Sequence, residues 1–231
     1  MKLKEYQGKR LFEAYGISIP MGFVISKKSL DGDNNISQIH ERLDFLKNDV
    51  VLKAQILESE RKKGELIIES DDKEFAKNAL SIFKKIEDNE ILVEENIKVK
   101  KELFCSLSIS EVDKAPVLTI SEKNNISEQS KSLEKNKHCS KLIFNNLNNE
   151  KLINFVKNFP VPNALMPIVF NMYKLMVEKD CTLVEINPLV VTNTNGEDRL
   201  VALDSNIIVD DNALFRQETF RKLKELNEDK K

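Results

Sequence analysis

The chain is predicted to be an α+β protein. Two observations predict it. Short β-branched runs, among them VLKAQIL, ILVE and TLVEINPLVV, alternate with stretches whose apolar residues recur at helical spacing. These segments gather in two clusters, about residues 20–98 and 99–210, and show no internal repeat.

Each element follows from its local pattern. Leu3, Tyr6, Leu11, Ala14 and Tyr15 lie near helical spacing, and Gly16 is placed to stop that helix. Gly22–Ile25 reads as a short strand. Ser29–Leu46 is helical in its second half, with Ile36, Ile39, Leu43 and Leu46 on one face. Asp49–Leu57 is a compact β-branched run, hence a buried strand, and Gly64–Glu69 its hairpin return. Asp71–Asp88 reads as an amphipathic helix with Ser70 as its N-cap. Ile91–Glu94 is a strand, and Glu102–Val112 with Ala115–Ile120 a longer strand pair. Ser121–Asn148 is rich in Ser, Lys, Asn and Glu and reads as a mobile loop or insertion. Two helices follow, Glu150–Phe159 and Ala164–Lys179. Two strands come next, Thr182–Val191 and Leu200–Asp204, linked through Asn193–Asp198 with Gly196 as the turn residue. Asn212–Leu226 reads as a last helix, and Glu228–Lys231 as a frayed tail.

Composition narrows the function classes. The 231 residues carry 36 basic and 38 acidic side chains, a net charge of −2, so no global basic field points to nucleic acid. No apolar run approaches the ~18 residues of a membrane span. The amphipathic N-terminus lacks the continuous apolar core of a signal peptide. A cytoplasmic location is expected, and an organellar matrix after processing is compatible with the same pattern. Cys105, Cys139 and Cys181 are far apart and form no CxxC pair, and Cys105 and Cys181 sit in apolar runs as small core residues. His40 and His138 lie in polar surroundings and read as surface histidines, which argues against a self-contained His-based catalytic machine.

Glu185, Asn187 and Asp204 are polar groups set into otherwise apolar runs, where burial is costly unless something pairs with them. Two carboxylates and an amide suit Mg²⁺, a hard cation that takes few protein ligands plus phosphate oxygens. The plainer reading is a strand ending at Pro188 with Glu185 facing solvent. Lys53, inside VVLKAQIL, must snorkel at a sheet edge, pair, or meet a ligand. Glu94 and Glu102 read, on residue type alone, as exposed carboxylates beside Lys98, Lys100 and Lys101.

Four ordered motifs carry a resemblance. MKLKEYQGKRLFEAYG opens the chain, VLKAQIL and ILVE follow, and TLVEINPLVV, LVALD and DDNALFRQ come near the end. In this order they resemble the nucleotide-binding (β) subunit of succinate–CoA ligase. That resemblance implies the ATP-grasp fold: one domain over 1–231, with lobe one at about 20–98 and lobe two at about 1–19 plus 99–231. A nucleotide cleft would lie between the two sheets. It implies Mg²⁺ with ATP or GTP as cofactors, and phosphoryl transfer to a histidine on a CoA-binding α-type subunit. The matching positions are Lys53 toward phosphate, Arg61 and Gly64 in the phosphate loop, and Glu94 and Glu102 at the nucleotide. Asn187 and Asp204 match the Mg²⁺ ligands, and Glu185 the glutamate that meets the partner's phosphohistidine.

The sequence departs from that family at four places. The glycine-rich basic loop becomes Glu58-Ser59-Glu60-Arg61-Lys62-Lys63-Gly64, which puts two carboxylates where backbone N–H groups would close on phosphate. A Glu-Gly-Gly stretch becomes Ser121-Glu122-Lys123-Asn124-Asn125. The small residue and Lys after LD become Ser205 and Asn206. The family also continues past the position of Lys231 into a C-terminal domain, so a separate polypeptide supplying that half is expected. The alternative expectation is a degenerate, non-catalytic relative acting as a binding or regulatory subunit. A ligase for another carboxylate is disfavoured by DDNALFRQ.

Overall fold

A computed structural model describes residues 1–30, 33–47, 49–57, 66–86, 90–122, 139–143, 149–194 and 196–228. The first half of the chain runs α1 (Glu5–Ala14), β1 (Gly22–Ser26), a 3₁₀ turn (Lys27–Leu30), α2 (Asp33–Phe45), β2 (Val50–Ala54), β3 (Ile67–Ser70), α3 (Phe75–Phe83) and β4 (Glu90–Glu95). The second half runs β5 (Lys101–Ser110), β6 (Ala115–Glu122), β7 (Cys139–Ile143), α4 (Asn149–Val156), α5 (Pro162–Glu178), β8 (Cys181–Thr194), β9 (Glu197–Ala202), β10 (Asn206–Val209), a 3₁₀ turn (Asp211–Ala213) and α6 (Glu218–Glu228). These elements form two compact units, one of Met1–Ile19 with Val99–Lys231 and one of Pro20–Lys98.

In the unit of Pro20–Lys98, four antiparallel strands lie in the order β1-β4-β2-β3. Val50, Leu52 and Ala54 of β2 are fully buried at alternate positions, as one face of a half-covered strand requires. Ile39, Leu43 and Leu46 of α2 and Phe75, Ala79, Ile82 and Phe83 of α3 complete that core. At nine residues α3 is too short to persist alone, and its buried face holds it in place.

The larger unit carries a sheet ordered β10-β8-β5-β6-β7, with β9 also paired to β8. The 14-residue β8 pairs with β10 through Cys181–Glu185 and with β9 through Leu189–Thr194. Leu165, Val169, Met172 and Leu175 of α5 are buried in the same core as Val184, Ile186 and Leu189 of β8. Helix α1 stops where Gly16 takes φ +75°, with its N–H donating to the Glu13 carbonyl at 3.0 Å. Its inner face carries Glu5, Gly8, Lys9 and Phe12, all buried. Among the described residues no helix is long and apolar enough to cross a membrane.

The structure corrects several expectations. Ser70 is the last residue of β3 and not an N-cap, because its Oγ donates to the Asp71 carbonyl; the Asp71 carboxylate instead accepts from Glu74 N at 3.0 Å. The stretch 121–148 is not wholly a loop. Ser121 and Glu122 finish β6, and Cys139–Ile143 form β7 on its edge, pairing Ser121 with Cys139 and Val117 with Ile143. Residues 123–138, with His138, and 144–148 lie outside the described residues. The helix expected over Asn212–Leu226 is split into a 3₁₀ turn and α6. Between them Arg216 and Gln217 bond to Asp180, and Gln217 also to the Glu178 carbonyl. Ladder pairing ends β9 at Ala202, so Asp204 lies between β9 and the unexpected β10. His40 is exposed as expected but has a partner, Asp72 Oδ1, at 2.6 Å.

Candidate functional site

The edge of β8 sets the first group of predicted residues. Its partner changes from β10 to β9, and in the gap Leu203 N donates to the Pro188 carbonyl at 3.0 Å. That bond brings the Asn187-Pro188 stretch beside Leu203-Asp204. Asn187 is exposed, Asp204 half-buried, and the Asn187–Pro188 peptide is cis. One step along, Glu185 faces Asn206 across the ladder and accepts from its Nδ2 at 3.3 Å. Glu185, Asn187 and Asp204 are therefore neighbours on one sheet edge, although 19 positions separate the first and last in sequence.

Turn geometry fixes the acid end. Asp204 Oδ1 accepts from Ser205 N at 2.7 Å, and Ser205 Oγ donates to the Glu5 carbonyl of α1 at 2.9 Å. A side chain on Gly8 would put its Cβ 2.3 Å from Ser205 Oγ, so only glycine lets α1 approach this closely. Burial raises the Glu185 carboxyl above the usual carboxylate range, opposed by the Asn206 hydrogen bond and the charge of Lys2. Asn206 Oδ1 is shut away from solvent without a hydrogen-bond partner. Sequence reasoning noted Asn206 only for the lysine it replaces; its pairing with Glu185 depends on the register of β10. Among the described residues no three His, Cys, Asp or Glu side chains form a metal cage. The donors here are carboxylate and amide oxygens in small number, which is how Mg²⁺ is held when other oxygens come with the ligand.

The second group sits in the unit of Pro20–Lys98. Lys53 belongs to β2, an interior strand, so snorkelling at a sheet edge is not its situation. Its Nζ lies 2.8 Å from Glu94 Oε2, and the two side chains are 11 % and 3 % exposed. Glu94 is thus buried, contrary to its reading as a solvent-facing carboxylate, because both neighbours of β4 are strands. Glu102 belongs to β5 in the larger unit, half-buried opposite Val190. Arg61 and Gly64 lie outside the described residues. Cys105 and Cys181 are core residues as expected, and burial pushes both thiols up to about 12.

Comparison with known proteins places this geometry. Residues 2–191 match the family model described as the ATP-grasp domain. Over 94 % of its length the chain is 33 % identical to the "Succinate--CoA ligase [ADP-forming] subunit beta" of Methanocaldococcus jannaschii. Over 99 % of its length it is 29 % identical to the same-named protein of Bacillus velezensis. The chain spans 59 % and 62 % of those two relatives, about three fifths of each. Among solved structures, the acetyl-coenzyme A synthetase 1 of Ca. Korarchaeum cryptofilum, in complex with coenzyme A and Ca-AMPCP, superimposes with TM-score 0.67 at 14 % identity. That match covers 90 % of this chain and 93 % of that one. The ATP citrate lyase of Methanothrix soehngenii gives TM-score 0.64 at 16 % identity, covering 94 % of this chain and 53 % of that one. At such identities these two show the fold.

Proposed function

The chain belongs to the ATP-grasp family, and from that premise we propose that it is the nucleotide-binding, β-like part of a succinate–CoA ligase-type enzyme. In this reading it binds Mg-ATP or Mg-GTP and passes phosphate to a histidine on a CoA-binding α-type subunit. The observation that carries the reading is the ladder change on β8, which groups Glu185, Asn187 and Asp204 on one edge. The "[ADP-forming]" names of the relatives favour adenine over guanine.

The donor set fits a magnesium–nucleotide complex. Asp204 and Asn187 would hold the cation, and the unsatisfied Asn206 oxygen marks the edge as one built for a further polar contact. Lys53 and Glu94, with Arg61, Gly64 and Glu102, form the nucleotide-binding set. Bound, the complex supplies the phosphoryl group and neutralises the charge that develops as it leaves. Glu185 meets the imidazole of the partner and orients it by accepting its N–H, while Asn206 holds the Glu185 carboxylate in place. The described histidine, His40, is engaged by Asp72 on the surface, which supports a receiving histidine on another chain. A separate polypeptide supplies the part of the relatives that this chain does not span.

A second reading is favoured by one feature of the sequence. Glu58 and Glu60 stand where the resembling family has phosphate-binding glycines. Under that reading the chain is a non-catalytic relative that binds or regulates a partner. The two are separated by incubating the chain with Mg²⁺, γ-labelled ATP or GTP, and the α-type subunit that copurifies with it. Acid-labile label on a histidine of that subunit supports the ligase reading. Its absence, with the complex intact, favours the regulatory one.

A further inference from the structure

We propose that Glu94 is a positioning residue that fixes the ammonium of Lys53, and is not itself a contact to the base or sugar of the nucleotide; this rests on the nucleotide-binding reading above. The strand register sets the pair. Val51 lies opposite Glu94 and Lys53 opposite Leu92, so Lys53 and Glu94 share one face of the β2–β4 ladder as diagonal neighbours. Their charged atoms meet at 2.8 Å. The exposures are unequal: the carboxylate side chain keeps 3 % of its surface and the lysine 11 %. Glu94 is the inner member and Lys53 the outer one, so an arriving ligand reaches the ammonium first.

The niche for the carboxylate comes from a third strand. Gly22 of β1 is the ladder partner of Glu94. A Cβ on Gly22 would sit 2.9 Å from Glu94 Cγ and 2.5 Å from the Val93 carbonyl oxygen. The missing side chain leaves room for the glutamate. Facing a phosphate directly, a carboxylate repels it. Behind the lysine it does the reverse, since an opposite charge keeps a buried amine protonated. It also holds the four-carbon stem in one geometry before any phosphate arrives, which removes an ordering cost from binding.

The test compares the full chain with Glu94→Gln, Lys53→Met and the double variant, each titrated with ATP and with adenosine, which lacks phosphate. Labelling of Lys53 by acetic anhydride, read by peptide mass spectrometry without any nucleotide, is measured alongside. We expect Glu94→Gln to weaken ATP about tenfold, the scale of one charge-assisted contact. Adenosine should be unaffected, and the double variant should bind ATP no more weakly than Lys53→Met. Lys53 should acylate several-fold faster once its counter-charge is gone. Loss of adenosine affinity in Glu94→Gln, a further loss of ATP affinity on adding it to Lys53→Met, or an unchanged acylation rate overturns the proposal. If the parent binds neither ligand, the nucleotide-binding reading falls, and the acylation rates alone decide whether Glu94 holds Lys53. Should Glu94→Gln fail to fold, Glu94→Asp keeps the charge but withdraws it by one methylene. Faster acylation in that variant supports the assignment, and an unchanged rate refutes it.

Discussion

Gly8 and Ser205 meet so closely that a Cβ on the glycine would lie 2.3 Å from the serine Oγ, and that oxygen donates to the Glu5 carbonyl at 2.9 Å. Through this contact the first helix sets the residue that follows Asp204, and so the turn in which Asp204 accepts from Ser205 N. Gly8→Ala should therefore cost about 1–3 kcal/mol of stability, the range for overpacking a close-packed contact. The unfolding midpoint in urea checks it. A variant as stable as the parent means that α1 can shift without strain.

Asp204→Ala should abolish the Mg-dependent part of nucleotide binding while the fold persists, since Asp204 is half-buried and outside both β9 and β10. Calorimetric titration with ATP, with and without Mg²⁺, reads this directly. Equal affinity in variant and parent removes Asp204 from the metal site.

Glu58→Gly combined with Glu60→Gly should tighten nucleotide binding by about two- to tenfold, the summed effect of two exposed like charges removed from beside a phosphate. A fall in affinity in the same titration would show that these carboxylates do not repel it.

Asp180 supplies a pH prediction. Hydrogen bonds from Arg216 first, and from Gln217, hold its carboxyl down at about 2 against an ordinary 3.8. Because the folded value is the lower one, the stabilisation is fully present above about 3.8 and is lost as pH falls toward about 2. Asp180→Asn should be less stable than the parent at neutral pH. Its unfolding midpoint should also show a weaker acid dependence between pH 4 and 2. Parallel pH curves for the two proteins would remove this carboxyl from the acid response.

The elements most legible in the sequence are those with a strong period and a punctuating residue. Helix α1 is one, stopped at Gly16; the buried alternation of β2 is another, and the hairpin through Gly196 a third. Strand β7 was hidden because CSKLI, an edge strand, needs only one partner and sits among polar residues. Strand β10 was missed because four residues give too short a pattern to read before its partner is known. Of the site, the tract around Glu185, Asn187 and Asp204 could be found as polar residues in apolar runs. The burial of Glu94 could not, because it depends on flanking strands and on a glycine 72 positions away in sequence. Asn206 escaped for the same reason: its role is visible only in the register that sets it against Glu185.

Thermal unfolding with ATP or GTP, each with and without Mg²⁺, tests the nucleotide-binding claim most directly. A ligand at about 100 times its dissociation constant adds about 2.7 kcal/mol to the folded state. The expected result is a rise in midpoint with at least one nucleotide that depends on Mg²⁺ and disappears in Asp204→Ala. The same midpoint under all four conditions, with nucleotide in the millimolar range, would contradict a working Mg–nucleotide site in this chain.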